Sequence, residues 1–166
     1  MWMSIHTLAI LQCLVPVSAA NAAPVLFARI LGTRFARPID GGLVLRGGHP
    51  LLGRSKTWRG LAAAIVLGTC AAIFIHLPWQ AGVLTAASAM AGDCLSSFVK
   101  RRLGREPSSM TLGLDQVPES LLPAVACRVY LPLGAIDIVA IVLAFFLGGL
   151  ALSRLFFAVG LRDRPY

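Results

Sequence analysis

The sequence predicts an all-α integral membrane protein with about five transmembrane helices. Of the 166 residues, 57% are hydrophobic and 13% are charged, and the mean hydropathy is +0.79. A soluble domain carries charge on about a quarter of its residues, and one core of this size cannot bury so many apolar side chains. The second observation is that long apolar runs alternate with basic loops. We expect residues 1–166 to form a single transmembrane domain.

Five apolar runs approach the length of about 20 residues that crosses the hydrocarbon core of a bilayer. They cover residues 5–27, 61–77, 81–99, 121–133 and 135–161. Asp93 interrupts the third run, and the fourth is short, is bounded by prolines and contains Arg128. The fourth run is therefore the weakest of the predicted spans.

The positions of the basic residues predict the orientation of these helices. Fourteen of the fifteen Lys and Arg residues lie in three regions, 28–60, 100–105 and 154–164, and Arg128 is the exception. With five spans all three regions fall on one side, which the positive-inside rule identifies as the cytoplasm. We therefore expect a multi-pass protein of the plasma membrane with its N-terminus outside and cytoplasmic loops at about 28–60 and 100–118.

The first apolar run has an alternative interpretation as a cleaved signal peptide, because small residues follow it. It lacks a basic region at its start. Cleavage would also place the seven cations of residues 28–60 outside the cell, against the charge rule. These two observations favour a retained first helix.

The net charge of +8 raises the question of nucleic acid binding. No basic face interleaved with aromatic residues and no zinc-ligand spacing accompanies it, and the loop positions of the cations explain the charge. We expect no nucleic acid partner. The four cysteines form no C-x-x-C pair, so we expect small apolar packing residues rather than a metal site or disulfides.

The segment GDCLSSFVKRRLG, residues 92–104, places charge at the end of an apolar run. Helical spacing puts Asp93, Ser97 and Lys100 on one stripe. A stop-transfer helix end whose cations touch lipid headgroups would account for Arg102 and Arg105. It would not account for Asp93, since an ionisable group beside a span is costly and usually faces a polar cavity.

A second carboxylate, Asp115, follows in the loop segment PSSMTLGLDQVPES. Two Asp residues on two segments, with cations between them, suit a site for Mg²⁺ and phosphate, because carboxylates hold this hard cation and phosphate oxygens complete its ligands. The alternative is a turn or cap role, which is common for an Asp in a loop.

The glycine-rich loop of residues 38–60 is a third candidate element. Glycines allow close approach of backbone N–H groups to phosphate, although GRSKT lacks the P-loop spacing. The alternative interpretation is a basic surface loop in which Trp58 is an interface anchor.

Several short motifs occur along nearly the whole chain. They are NAAP at 21–24, PIDGG at 38–42, LG at 52–53, KTWRG at 56–60, GD at 92–93, SFVKRRLG at 97–104, GLDQ at 113–116 and VGLRDRPY at 159–166. In this order and combination the chain resembles the CDP-archaeol synthase family. That family is similar to the CDP-diacylglycerol synthases, or phosphatidate cytidylyltransferases.

The resemblance implies a CTP-dependent cytidylyltransferase that uses Mg²⁺ and converts a lipid phosphate monoester into a CDP-lipid with release of pyrophosphate. It leaves the lipid open between an archaeol-type diether glycerol phosphate and phosphatidate, and leaves a homo-oligomer open. Asp93 and Asp115 would be metal ligands, and Lys100 would join them as a catalytic residue. Substrate-binding roles fall to Asn21, Asp40, Lys56, Arg59, Ser97, Arg101 and Gln116. Asn21 would bond to the substrate or brace Asp40.

The chain departs from the CDP-diacylglycerol synthase signature after Ser97-x-x-Lys100-Arg101. Arg105-Glu106 stands where a Lys-Asp pair is expected, and a His-Gly-Gly element is missing. These differences favour the archaeol-type branch.

Two other functions are alternatives. A CDP-alcohol phosphotransferase requires D-G-x-x-A-R and a later D-x-x-x-D, which the sequence lacks beyond Asp40-Gly41. A small transporter or a non-enzymatic membrane subunit would use an intramembrane pair of Asp137 with Arg128. Against the transporter, the charges cluster at one face and no inverted repeat is visible.

Overall fold

The computed structural model describes residues 5–45, 48–105, 111 and 113–158, and the part of the chain that it describes is a helical bundle. The helices are α1 (Thr7–Leu31), α2 (Trp58–Phe74), α3 (Trp79–Arg102), α4 (Gln116–Ala126) and α5 (Ala135–Ala158), and a short 3₁₀ helix (Cys127–Val129) follows α4. The five predicted helices are confirmed. Glu106 and the motif at 159–166 lie outside the described residues.

The helices differ in their fitness to cross a bilayer. By length and composition, α1, α3 and the part of α5 from Ala135 to Arg154 are long and apolar enough. Helix α2 is apolar but has 17 residues, near the lower limit for a span. Helix α4 has 11 residues, which rise about 16 Å at 1.5 Å per residue. The sidedness of the bundle stays a prediction.

Small residues let α1, α2 and α3 pack closely. A Cβ atom added to Gly82 on α3 would lie 2.6 Å from the Cα atom of Thr69 on α2, so the two backbones are nearly in contact. Alanines dominate the core on this side: Ala20, Ala23, Ala63, Ala64, Ala86 and Ala89. This tight contact fixes α3 relative to α1 and α2, and therefore fixes the charged end of α3.

Asp137 joins α1 to α5 at the opposite end of the bundle. Its carboxylate accepts hydrogen bonds from the backbone N–H groups of His6 (2.9 Å) and Gly134 (2.8 Å), and also lies 2.9 Å from the His6 ring nitrogen Nδ1. Asp137 is buried, whereas Arg128 is exposed. The hypothetical Asp137–Arg128 pair is therefore wrong, because the first turn of α5 directs this carboxylate toward the start of α1. The transporter hypothesis loses its intramembrane pair.

The cysteines match their expected packing role in part. Cys13 and Cys127 are buried, as predicted. Cys94 is half-buried and Cys70 is exposed. The position of a single cysteine in an apolar run does not show whether its side chain faces the core, a cavity or the lipid.

The connection between α1 and α2 folds into a hairpin, residues 38–57, described except for residues 46 and 47. Isolated β-bridges pair Pro38 with Thr57 and Val44 with Pro50. Thr57 also caps α2, because its side-chain oxygen accepts the backbone N–H of Gly60 at 3.2 Å. The cap starts α2 immediately after Lys56 and so fixes the position of this lysine.

Candidate active site

A cavity of about 680 Å³ opens at one end of the bundle. The ends of α1 and α3 and the starts of α2 and α4 surround it, together with the hairpin. Among the described residues, cations outnumber carboxylates in its lining: Arg29, Arg54, Lys56, Arg59 and Lys100 against Asp93, Asp115 and Glu119. The charges that the sequence distributes over four segments therefore meet in one place.

Lys56 and Asp93 form the first ion pair of the cavity. The Lys56 ammonium lies 2.5 Å from both carboxylate oxygens of Asp93. Both side chains are about four-fifths buried, so the interaction is less screened than a surface pair. Asp93 faces a polar cavity with a partner, as expected for a charge within an apolar helix.

Lys100 and Asp115 form the second ion pair. The Lys100 ammonium lies 2.7 Å from Asp115 Oδ1, and Asp115 Oδ2 accepts the backbone N–H of Thr111 at 3.0 Å. The Gln116 side-chain oxygen accepts the N–H of Gly113 at 2.9 Å. Asp115 and Gln116 thus fix their own loop while they line the cavity.

Glu119 is a third carboxyl group in the cavity, and the sequence analysis missed it. Burial, and then the adjacent Asp93 carboxylate, raise the pKa of Glu119 well above its usual range. Its backbone approaches α3 closely, since a Cβ atom on Gly92 would lie 2.2 Å from the Pro118 carbonyl oxygen and 2.9 Å from the Glu119 nitrogen. One signal in the sequence could have indicated Glu119: it lies four residues after Asp115, and residues i and i+4 share a helix face.

Asp40 organises the hairpin and does not line the cavity. Its carboxylate accepts backbone N–H groups from Gly42 (2.9 Å), Leu52 (2.9 Å) and Gly53 (3.2 Å). Partial burial acts to raise the pKa of Asp40, but these hydrogen bonds outweigh it and lower the pKa. Among the described residues Asn21 is no brace for Asp40, since its amide donates to the Val17 carbonyl within α1 at 3.1 Å, although Asn21 does line the cavity.

Arg59 lies between the polar cavity and a smaller apolar groove. Its guanidinium donates to the carbonyl oxygens of Gly32, at 2.9 Å, and of Arg34. The groove has a volume of about 300 Å³, and its other lining residues are apolar: Phe27, Leu31, Phe35, Ala62, Ala63 and Val66. Arg59 is therefore shared by a charged site and a hydrocarbon-like surface.

Ser97 and Arg101 are buried within the bundle and are not part of the cavity lining. Arg101 is 2% exposed, although Lys100 beside it reaches the cavity. Neighbouring helix residues point about 100° apart, which explains the difference. Two cavity cations that the sequence analysis placed only in the basic loop, Arg29 and Arg54, join the site instead.

The carboxylates of the cavity supply part of the ligand set of a divalent cation. Among the described residues no group of three His, Cys, Asp or Glu side chains has the arrangement of a complete metal site. Mg²⁺ needs only one or two carboxylates where phosphate oxygens and water supply its remaining ligands. Asp93 and Asp115 are oxygen donors of the right kind, and each is neutralised by a lysine here. The donor set therefore fits a cation that arrives with a phosphate ligand.

Comparison with known proteins gives consistent matches. A family model described as CDP-archaeol synthase (CarS-like) matches residues 3–79 and 73–166. A CDP-archaeol synthase of Hyperthermus butylicus is 42% identical over 110 residues, which are 63% of this chain and 62% of that protein. The corresponding protein of Thermococcus kodakarensis is 37% identical over 115 residues, covering 63% of this chain and 64% of the relative. These alignments span less than two thirds of either relative.

Two further matches extend over more of the chain. A CDP-archaeol synthase of Aeropyrum pernix is 34% identical over 176 aligned residues, which cover 99% of this chain and 95% of the relative. A solved structure, described as an intramembrane enzyme for archaeal membrane lipid biosynthesis, is 32% identical with a TM-score of 0.74. It covers 85% of this chain and 90% of that chain.

Proposed function

We propose that this chain, which belongs to the CDP-archaeol synthase family, transfers the cytidylyl group of CTP to a membrane lipid phosphate monoester. The observation that carries the proposal is the cavity, where two Lys–Asp pairs and further arginines meet at one end of an apolar bundle. Its volume of about 680 Å³ lies in the range of small-molecule sites. A triphosphate and a lipid phosphate are the anions that such a cavity suits.

The reaction needs no covalent enzyme intermediate. An oxygen of the lipid phosphate attacks the α-phosphorus of CTP, and the bond from that phosphorus to the bridging oxygen breaks as pyrophosphate leaves. Catalysis of this kind consists of positioning and charge neutralisation. Lys56 and Lys100 lie where they can exchange a carboxylate partner for a phosphate oxygen, and Arg29 and Arg54 add positive charge to the same lining.

Mg²⁺ is the proposed cofactor, with Asp93 and Asp115 as its protein ligands. When bound it would neutralise charge on the phosphate oxygens. The lysines partnering these carboxylates would then be released toward the nucleotide. Gln116, whose side-chain oxygen accepts the N–H of Gly113, would help to hold the Asp115 loop.

The lipid is proposed to be an archaeol-type diether glycerol phosphate, as the names of the relatives imply. The groove lined by Phe27, Phe35 and Val66 offers an apolar surface for part of a hydrocarbon chain. Arg59 belongs to both the groove and the cavity. A lipid whose phosphate lies in the cavity would therefore keep its chain on the apolar side of this arginine.

The cavity is proposed to face the cytoplasm, where CTP is found, and the protein to reside in the plasma membrane. The loops that surround the cavity contain the basic regions at 28–60 and 100–105. Positive charge of this density favours the cytoplasmic side.

The test is an assay of the purified protein in vesicles with CTP and Mg²⁺. An archaeol-type diether glycerol phosphate and phosphatidate are supplied in separate reactions, and CDP-lipid and pyrophosphate are both quantified. We expect equal amounts of the two products, faster turnover of the diether lipid, no product with EDTA and almost none with Asp93→Asn. Absence of CDP-lipid from both lipids would refute the proposed function. Faster turnover of phosphatidate would refute only the choice of lipid.

A further inference from the structure

Arg102 contacts the hairpin from the last turn of α3. Its Nη2 atom donates to the carbonyl oxygens of Pro50, at 3.0 Å, and His49, at 3.4 Å. Its guanidinium carbon also lies 5.4 Å from the centre of the Phe98 ring, one turn earlier on the same helix. The hairpin carbonyl oxygens and the Phe98 ring therefore both orient the Arg102 side chain. A cation that only binds lipid headgroups would not need these contacts.

These contacts are of a kind that orients a loop. A charged donor strengthens a hydrogen bond to a carbonyl oxygen, and an aromatic face attracts a guanidinium within about 6 Å. Arg102 is exposed, so each contact is weakened by water. The planar guanidinium satisfies both at once, which a lysine ammonium cannot do in the same geometry.

The hairpin transmits this contact to the cavity because it is bonded along its length. Leu45 N donates to His49 O at 3.0 Å and Leu51 N to Leu43 O at 2.8 Å. Asp40 then holds the N–H groups of residues 52 and 53. Finally Lys56 N donates to Gly53 O at 3.2 Å. A displacement at residues 49–50 therefore reaches the lysine that partners Asp93.

We propose that Arg102 is a positioning residue that holds the hairpin against α3 and so keeps Lys56 at the cavity. It acts through the hairpin and touches no substrate, since it is not part of the cavity lining. The kinetic consequence rests on the proposed function, whereas the effect on the hairpin does not. This role replaces the sequence-based interpretation of Arg102 as a headgroup cation.

Arg102→Gln, Arg102→Lys and the matched control Arg105→Gln test the proposal. Arg105 is exposed three residues later on the same basic segment, so its replacement removes the same charge without the hairpin contact. The first measurement is the rate of tryptic cleavage after Arg54, within the hairpin, in detergent and without nucleotide. We expect Arg102→Gln to be cleaved about tenfold faster, as for the loss of one charge-assisted hydrogen bond. Arg102→Lys should be intermediate, and Arg105→Gln unchanged.

The second measurement separates CTP binding from turnover. We expect Arg102→Gln to raise KM for CTP about tenfold, with kcat within about threefold of the unaltered protein. The KM of Arg102→Lys should lie between the two. The melting temperature of Arg102→Gln should be unchanged. Saturating CTP should restore resistance to trypsin.

Three outcomes would overturn the proposal. Equal losses in Arg102→Gln and Arg105→Gln would indicate general attraction of the nucleotide by surface charge. A lower kcat with unchanged cleavage would indicate a direct catalytic contact. Unchanged cleavage and unchanged kinetics in Arg102→Gln would show that the contact between Arg102 and the hairpin has no effect. If the unaltered protein makes no CDP-lipid while Arg102→Gln still opens the hairpin to trypsin, the proposed function fails and the positioning role stands.

Discussion

Lys56 bridges both carboxylate oxygens of Asp93 at 2.5 Å, so the ammonium group at the end of the hairpin occupies the carboxylate that we propose as a ligand of Mg²⁺. The two partners come from residues 37 positions apart. This relationship couples the hairpin to α3 and neutralises Asp93 in a cavity whose lining still has more cations than carboxylates.

Lys56→Met should separate the two roles of this lysine. We expect slower CDP-lipid formation, because a phosphate contact is lost, by about tenfold or more. Without nucleotide we expect tighter binding of Mn²⁺, a paramagnetic substitute for Mg²⁺, because the ammonium no longer competes for Asp93. Free Mn²⁺ measured by electron paramagnetic resonance checks this. Weaker Mn²⁺ binding than in Lys56→Arg would contradict the competition.

Asp93→Asn and Asp115→Asn should each reduce CTP-dependent product nearly to background, and the double variant should be little worse. Ligands of one cation act as a unit, so their losses are not additive. Asn keeps the side-chain volume but leaves a largely buried lysine without its carboxylate, so the melting temperature in detergent should fall without loss of the folded state. Mn²⁺ titration in the presence of CTP checks the assignment independently of turnover. Additive losses of product in the double variant would place the two carboxylates in separate roles.

Gly92→Ala should displace the start of α4 from α3. A Cβ atom there would lie 2.2 Å from the Pro118 carbonyl oxygen, so backbone must move, at a cost of about 1–3 kcal/mol. We expect a lower melting temperature and weaker CTP binding, because Asp115 and Glu119 move with α4. Gly148→Ala is the matched control, since nothing lies within 4 Å of its added Cβ atom. Similar behaviour of the two variants would show that the close contact has no effect.

The orientation of the bundle is testable by labelling single cysteines on intact cells. Thr33→Cys follows α1 at the cavity end, and Gln80→Cys lies at the start of α3; both positions are exposed. In the background protein the two accessible cysteines, Cys70 and Cys94, are replaced by Ser. Cys13 and Cys127 are kept because they are buried and should not react with the label. A membrane-impermeant maleimide should label Gln80→Cys and reach Thr33→Cys only after lysis. The reverse pattern would place the cavity outside.

The sequence predicted the five helices, because these follow from where the apolar runs lie along the chain. It also predicted Asp93 as a site residue, since a carboxylate in an apolar helix needs a polar partner. The identity of that partner, Lys56, depends on how the hairpin folds over α3, and local propensity does not determine this.

Other residues show why the remainder of the site was not predictable. Asp40 matches a binding pattern and a turn pattern equally well, and only its bonds to the hairpin N–H groups distinguish them. Glu119 looks like an ordinary acidic residue in the first turn of a helix. Its burial against Asp93 arises from the close approach at Gly92, which depends on packing between two helices.

The excess of cations in the cavity has a consequence for product release. A lining that attracts a triphosphate also attracts pyrophosphate, which concentrates a similar charge on fewer atoms. If the chain catalyses the proposed reaction, pyrophosphate would leave slowly and would compete with incoming CTP for the same cations. Under the proposed function, the forward direction would therefore benefit from a hydrolase that removes pyrophosphate on the cavity side of the membrane.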